Sequence, residues 1–123
     1  MKFLLIMHVN PAVWDSLTEE ERTAVMEGHG PFLEEITASG ELIMTQALAD
    51  PSQSAVVRVR DDRPVVTDGP YLEAKEYLGG YYLVDCESKE RALQLAALIP
   101  DARIDGLGVE VRQVMFSHGQ LDT

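Results

Sequence analysis

The chain has 123 residues, 46% hydrophobic and 25% charged, which is the size and make-up of one domain with one buried core. Ten Lys and Arg against 21 Asp and Glu leave a formal charge of −11, and that charge repels nucleic acid and anionic membranes at long range. The single cysteine, Cys86, excludes an internal disulfide and offers no Cys-x-x-Cys zinc site, so a reducing cytoplasmic setting is expected.

The opening Met1 to Met7 is too short an apolar run for a signal peptide, and it meets His8, Asn10 and Pro11 with no small-residue cleavage site. Phe3 to Val9 is apolar at odd and even positions alike, which predicts a central strand covered on both faces. Thr18-Glu19-Glu20-Glu21 is a capping-box pattern. Val25, His29, Phe32, Leu33 and Ile36 follow at helical spacing, so a helix is predicted from Thr18 to Ser39. Pro31 removes a backbone donor within it, and a kink or a new helix start is expected there. Gly40 is placed for a left-handed cap, and Glu41 to Ala47 reads as a second strand.

Ala55 to Arg60 alternates, Asp61-Asp62-Arg63 turns, and Pro64 to Thr67 returns, which makes a hairpin. Leu78 to Cys86 is the next strand, Ser88 caps a second helix that ends at Pro100, and Gly108 to Phe116 closes as the last strand. The order predicts an α+β domain over residues 1–123, with 117–123 as a loose tail: a ferredoxin-like split β-α-β fold carrying an inserted hairpin. Its helices cover one face of the sheet. The doubly apolar first strand then calls for a cover on the second face, and a second copy under two-fold symmetry supplies one. A homodimer is expected.

The stretch Thr67-Asp68-Gly69-Pro70-Tyr71-Leu72-Glu73-Ala74-Lys75-Glu76-Tyr77-Leu78-Gly79-Gly80-Tyr81-Tyr82 resembles the signature of the YCII-related family, in the branch named for Asp-Gly-Pro-Phe, with Tyr71 in place of Phe. The opening strand, Val56 to Arg60 and Val109 to Arg112 also fit that family. The resemblance implies a dimeric α/β barrel, often encoded near alternative sigma factors in bacteria, with no generally established activity for the branch. It also implies a His and an Asp at the active site. His29 stands eleven residues before the helix-ending Gly40, as the pattern requires, and Asp68 is assigned as the Asp because it belongs to the motif.

An imidazole titrates near neutrality, so His29 can act as a general acid or base; a helix starting at Pro31 would favour its neutral form. The competing reading makes His29 one more member of the apolar stripe. Asp68 has a plainer use too, since Asp-Gly-Pro is turn chemistry and a buried turn carboxylate satisfies backbone donors. Lys75 is a candidate for an anionic substrate, Arg58 the best ligand candidate among the strand arginines, and Tyr71 adds a phenolic hydroxyl to the candidate substrate-binding set. Tyr81 and Tyr82 point to opposite faces, so one belongs to the core and the other can line a pocket with its hydroxyl; the alternation leaves open which, and Tyr82 is taken as the candidate.

No nucleophilic Ser or Cys stands in a recognisable setting, His8, His29 and His118 are too scattered for a local metal site, and Gly79-Gly80 lacks the partners of a phosphate loop. A cofactor-free small-molecule enzyme is therefore the first expectation. A non-catalytic ligand-binding or regulatory accessory protein is the second.

Overall fold

The computed structural model describes residues 1–69 and 74–119. β1 (Lys2–Val9) is followed by a short helix α1 (Pro11–Ser16), the long helix α2 (Glu19–Ala38) and β2 (Leu42–Ala47). The hairpin β3 (Ala55–Arg60) and β4 (Arg63–Asp68) comes next, then β5 (Tyr77–Asp85), α3 (Lys89–Ala97), a 3-10 turn at Pro100–Arg103, and β6 (Gly108–Gln113). With the hairpin and α1 set aside, the order is the split β-α-β one expected. Four strands form one antiparallel sheet in the order β2-β5-β1-β6, while β3 and β4 pair with each other in a second, two-stranded sheet. No helix among the described residues is long and apolar enough to cross a membrane.

Local chemistry explains most element ends. Thr18 and Glu21 form the reciprocal capping box, with Glu21 N–H 3.1 Å from Thr18 Oγ1 and Thr18 N–H 2.9 Å from Glu21 Oε1. Gly40 takes φ +80°, and Glu41 N–H closes back on the Ile36 carbonyl at 3.0 Å, which satisfies the last turn of α2. Asp61 and Asp62 both adopt positive φ, as the tight turn of a right-twisted hairpin demands.

Three expectations change. The sequence reading leaves residues 10–17 without an element, yet Asn10 Oδ1 accepts from Ala12 N–H and Val13 N–H and Pro11 fills the first helical position, so α1 forms. No new helix starts at Pro31, because α2 runs through it. Pro31 is exposed, so the Glu27 carbonyl it leaves without a donor faces the solvent side. The far face of β1 is also less bare than its pattern suggests. Ile6 is 4% exposed within one chain, flanked in register by Tyr81, which donates to Gln46 Oε1 at 2.5 Å, and by Glu110, which is tied to Arg112.

The core lies between the sheet and the two long helices. Phe3, Leu5 and Met7 from β1 and Tyr82 and Val84 from β5 meet Phe32 and Ile36 of α2 and Ala92, Leu95 and Ala96 of α3. Ile99 joins them and leads directly into Pro100 and Asp101.

Candidate functional site

His29 belongs to the stripe that α2 presents to the sheet, with Val25 one turn before it and Phe32 and Ile36 after it. Those three are buried, and His29 keeps about a quarter of its side chain exposed. It is thus both a member of the packed face and an opening in it.

Both ring nitrogens are engaged. Nε2 lies 2.8 Å from Asp101 Oδ1 and Nδ1 lies 2.7 Å from the Tyr82 hydroxyl. An ionised carboxylate can only accept, so in the neutral ring Nε2–H donates to Asp101 and Nδ1 accepts from the Tyr82 O–H. Asp101 is the one buried charged residue among those described, 8% exposed. The Tyr82 ring lies nearly parallel to the imidazole, with centroids 5.9 Å apart, and meets Phe32 edge-on at 4.9 Å. Burial, reinforced by the Asp101 charge, pushes the Tyr82 phenol up to about 12.

Three elements converge to make this contact. The alternation of β5 turns Tyr82 to the helix side, where Val84 is also buried. The 3-10 turn carries Asp101, and it can approach α2 because residue 28 is glycine: a Cβ there would lie 2.6 Å from Pro100 Cγ. At the near end of β1 the pairing with β5 slips by one residue between Met7 and His8, and Gly79 is the extra residue. A Cβ on Gly79 would lie 2.2 Å from Val9 Cγ2, so this bulge also needs glycine.

The three polar groups open onto a cleft of about 500 Å³, bounded by α1, the middle of α2, the near ends of β1, β2 and β5, and the loop after β2. Trp14, Val25 and Met26 form its helical wall, and Gly79 and Gly80 lie at its strand side. A second cavity of about 360 Å³ shares the wall Leu48 to Pro51 and extends toward Tyr77 and the start of β3.

The sequence-derived candidates divide accordingly. His29 and Tyr82 come together at the cleft. Asp68 does not join them: it is exposed at the end of β4, paired in register with Ala55, and the acid beside the ring is Asp101. The burial expected of the Asp68 carboxylate is not seen. Arg58 is exposed on the hairpin, Lys75 is exposed before β5, and neither lines the cleft. Tyr71 lies outside the described residues. No helix begins at Pro31, so the positive helix end expected beside His29 is absent.

Asp101 is the residue that sequence reasoning missed. Its one local signal is the Ile-Pro-Asp step after α3, where the proline that stops the helix also fixes the direction of the next residue. An uncharacterised protein of Rhizobium meliloti (strain 1021) is 28% identical over 122 residues, covering 98% of either chain. The pattern of the YCII-related domain matches residues 1–117, and by that near-complete match the chain belongs to the YCII-related domain family.

Proposed function

We propose that the protein is a cofactor-free enzyme that moves a proton on a small molecule held in the cleft, with His29 as the group that carries the proton. The observation behind this reading is the unbroken hydrogen-bonded series Tyr82, His29, Asp101 opening onto a cavity of ligand size. A phenol with a value of about 12 is no phenolate base at neutral pH. A relay avoids that state: Tyr82 Oη receives the substrate proton as its own passes to His29 Nδ1. The substrate is left as the anion, His29 as the imidazolium, and the phenol neutral throughout. Asp101 offsets the new imidazolium charge, as the third member of a nucleophile triad does. Return of the proton to a different atom gives an isomerisation, and no covalent intermediate forms.

The test follows deuterium uptake from D2O into the acetyl methyl group of acetophenone, 4-acetylbenzoate and protonated 4-(aminomethyl)acetophenone. Wild type should accelerate uptake into at least one of them, and His29→Asn, which keeps size and hydrogen bonding, should not. Uptake no faster than in buffer, or equal for the two proteins, rejects the reading. One observation favours the alternative of a ligand-binding or regulatory protein: both ring nitrogens already have partners within the chain, so His29 can serve purely to orient the cleft.

A two-fold dimer belongs to the same proposal. A two-stranded hairpin is marginal in water by itself. One face of β3–β4 carries Val57, Val59 and Val66, each more than 60% exposed. A second copy would cover that face and complete a dimeric barrel of the ferredoxin-like kind. Light scattering at micromolar concentration should give about twice 13.6 kDa, and Val57→Lys should lower it; a monomeric wild type would sink the proposal. Membership of the Asp-Gly-Pro-Phe branch rests on the Thr67 to Tyr82 stretch, and a cytoplasmic setting on the unpaired, buried thiol of Cys86.

A further inference from the structure

From the charges around the cleft we infer that its ligand is an uncharged, largely apolar molecule with a single hydrogen-bonding end, an inference that rests on the cleft being the working site. The wall is built from Val9, Trp14, Met26, Ala47, Leu48 and Leu107, with thioether, indole and aliphatic surface. Ionisable groups lining it are His8, His29, Asp50, Tyr82 and Asp101, and Thr45 and Gln46 add uncharged polar residues. No Lys or Arg among the described residues lines it, and neither undescribed segment contains one.

The charged groups that are present already have hydrogen-bond partners. His8 Nε2 is 2.6 Å from Glu110 Oε1, and Asp101 holds His29. Asp50 accepts the Ser52 N–H at 2.9 Å, which keeps its carboxyl below the usual carboxylate range and therefore ionised at neutral pH. An anion entering the cleft would lose hydration, find no counter-charge, and face two carboxylates inside a chain of net charge −11. A cation would be drawn by charge, but Asp101 is held by His29 and Asp50 is exposed to screening solvent, and the mostly apolar walls return little of its hydration. A neutral molecule loses least: its apolar body takes the walls, and its one polar group lies at the end where Tyr82, His29 and Thr45 line the cleft.

The chain has one tryptophan, Trp14, and it lines the cleft, so its indole N–H resonance is a single reporter of occupancy. The three acetyl probes named above share one body and differ in charge. In titrations of the full chain at pH 7, acetophenone is expected to shift the indole signal saturably, with a dissociation constant at least tenfold below those of 4-acetylbenzoate and the ammonium analogue. Met26→Lys places an ammonium on an exposed lining position and is expected to bring the benzoate within range of the ketone. A charged probe that binds wild type as well as acetophenone does, or no indole shift with any probe, overturns the inference.

The deuterium readout separates this failure from that of the proton-transfer reading. Binding of acetophenone without methyl exchange keeps the ligand class and rejects the chemistry. Exchange confined to the benzoate keeps the chemistry and rejects the class.

Discussion

Gly28 and Pro100 are packed so closely that a single added carbon on residue 28 would lie 2.6 Å from the proline ring. This approach joins α2 to the turn that carries Asp101, one residue from His29 on one side and one residue from Asp101 on the other. Gly28→Ala therefore sets two effects against each other. Alanine favours the helix by about 0.5–1 kcal/mol, whereas overpacking against a ring that cannot swing aside costs about 1–3 kcal/mol. The packing cost is expected to win, with a lower melting temperature and a displaced His29 ring resonance. Gly30→Ala is the internal control, because nothing lies within 4 Å of the Cβ it would add. It should stabilise by about 0.5–1 kcal/mol and leave the His29 signal in place. The reverse ranking of the two variants would show that the turn yields freely and does not depend on Gly28.

Asp101→Ala and Asp68→Ala should differ sharply in thermal melts. Removal of the Asp101 carboxylate leaves the half-buried Nε2–H of His29 without its acceptor, at about 1–3 kcal/mol. Asp68 is exposed, and its loss is expected to fall within about 0.5 kcal/mol of wild type. A coupling energy between His29→Asn and Asp101→Asn with none between His29→Asn and Asp68→Asn would fix the assignment independently. If Asp68→Ala proves the more damaging, the acid of this site has been misassigned.

These contrasts also mark what the sequence could convey. His29 was legible because helical spacing places residues 25, 29, 32 and 36 on one face, and that argument needs one element alone. Tyr82 was half-legible: alternation separates it from Tyr81, but which of the two turns toward the helices depends on the register of β5 against β1. Asp101 was not legible. It stands 72 positions from its partner, in a 3-10 turn whose direction is set by packing on Gly28 and not by any periodicity. Asp68 drew attention through its motif, although the hairpin that carries it forms a separate sheet. In the fold, the strand and hairpin patterns hold to within a residue except at the end of β6, which stops at Gln113 and not at Phe116, while α1 is missed because Asn10-Pro11 signals the end of a strand as well as the start of a helix.

Tyr82 gives a prediction at high pH. Its folded-state value of about 12 lies above the ordinary value of 10.0, raised by burial and by the Asp101 charge. A group raised on folding contributes stability that is complete below its unfolded value and is lost as pH rises through the folded one. Stability should therefore fall between pH 10 and about 12, with one phenol ionising late in the ultraviolet titration. Tyr82→Phe should abolish the late phenol and flatten that fall. A late phenol that persists in Tyr82→Phe would belong to another of the chain's four tyrosines and refute the assignment.

The acid limb depends on different groups, and it can be assigned in the same way. Arg91 of α3 grips Glu41, at the start of the chain into β2, through Nε to Oε2 and Nη2 to Oε1, both at 2.9 Å. That two-pronged contact, opposed by burial and helped by Ser39, holds the Glu41 carboxyl below its ordinary value of 4.5. The sign follows from a depressed group: the contribution is present above the unfolded value and disappears as pH falls through the folded one. Glu41→Gln should thus melt below wild type at pH 7, and the gap should close as pH falls below about 4.5. Asp85, held by the Met1 amino group at 2.8 Å, and Glu110, held by His8 and Arg112, are depressed as well, so the parent protein should lose stability over the same range. Salt separates the pairs. The Asp85 and Arg112 contacts are exposed and should weaken as ionic strength rises, whereas Glu41 is largely sheltered and its difference from Gln should persist at high salt. A Glu41→Gln difference that is constant from pH 7 down to pH 3 would mean that the residue contributes by packing and that its charge is not what stabilises the fold.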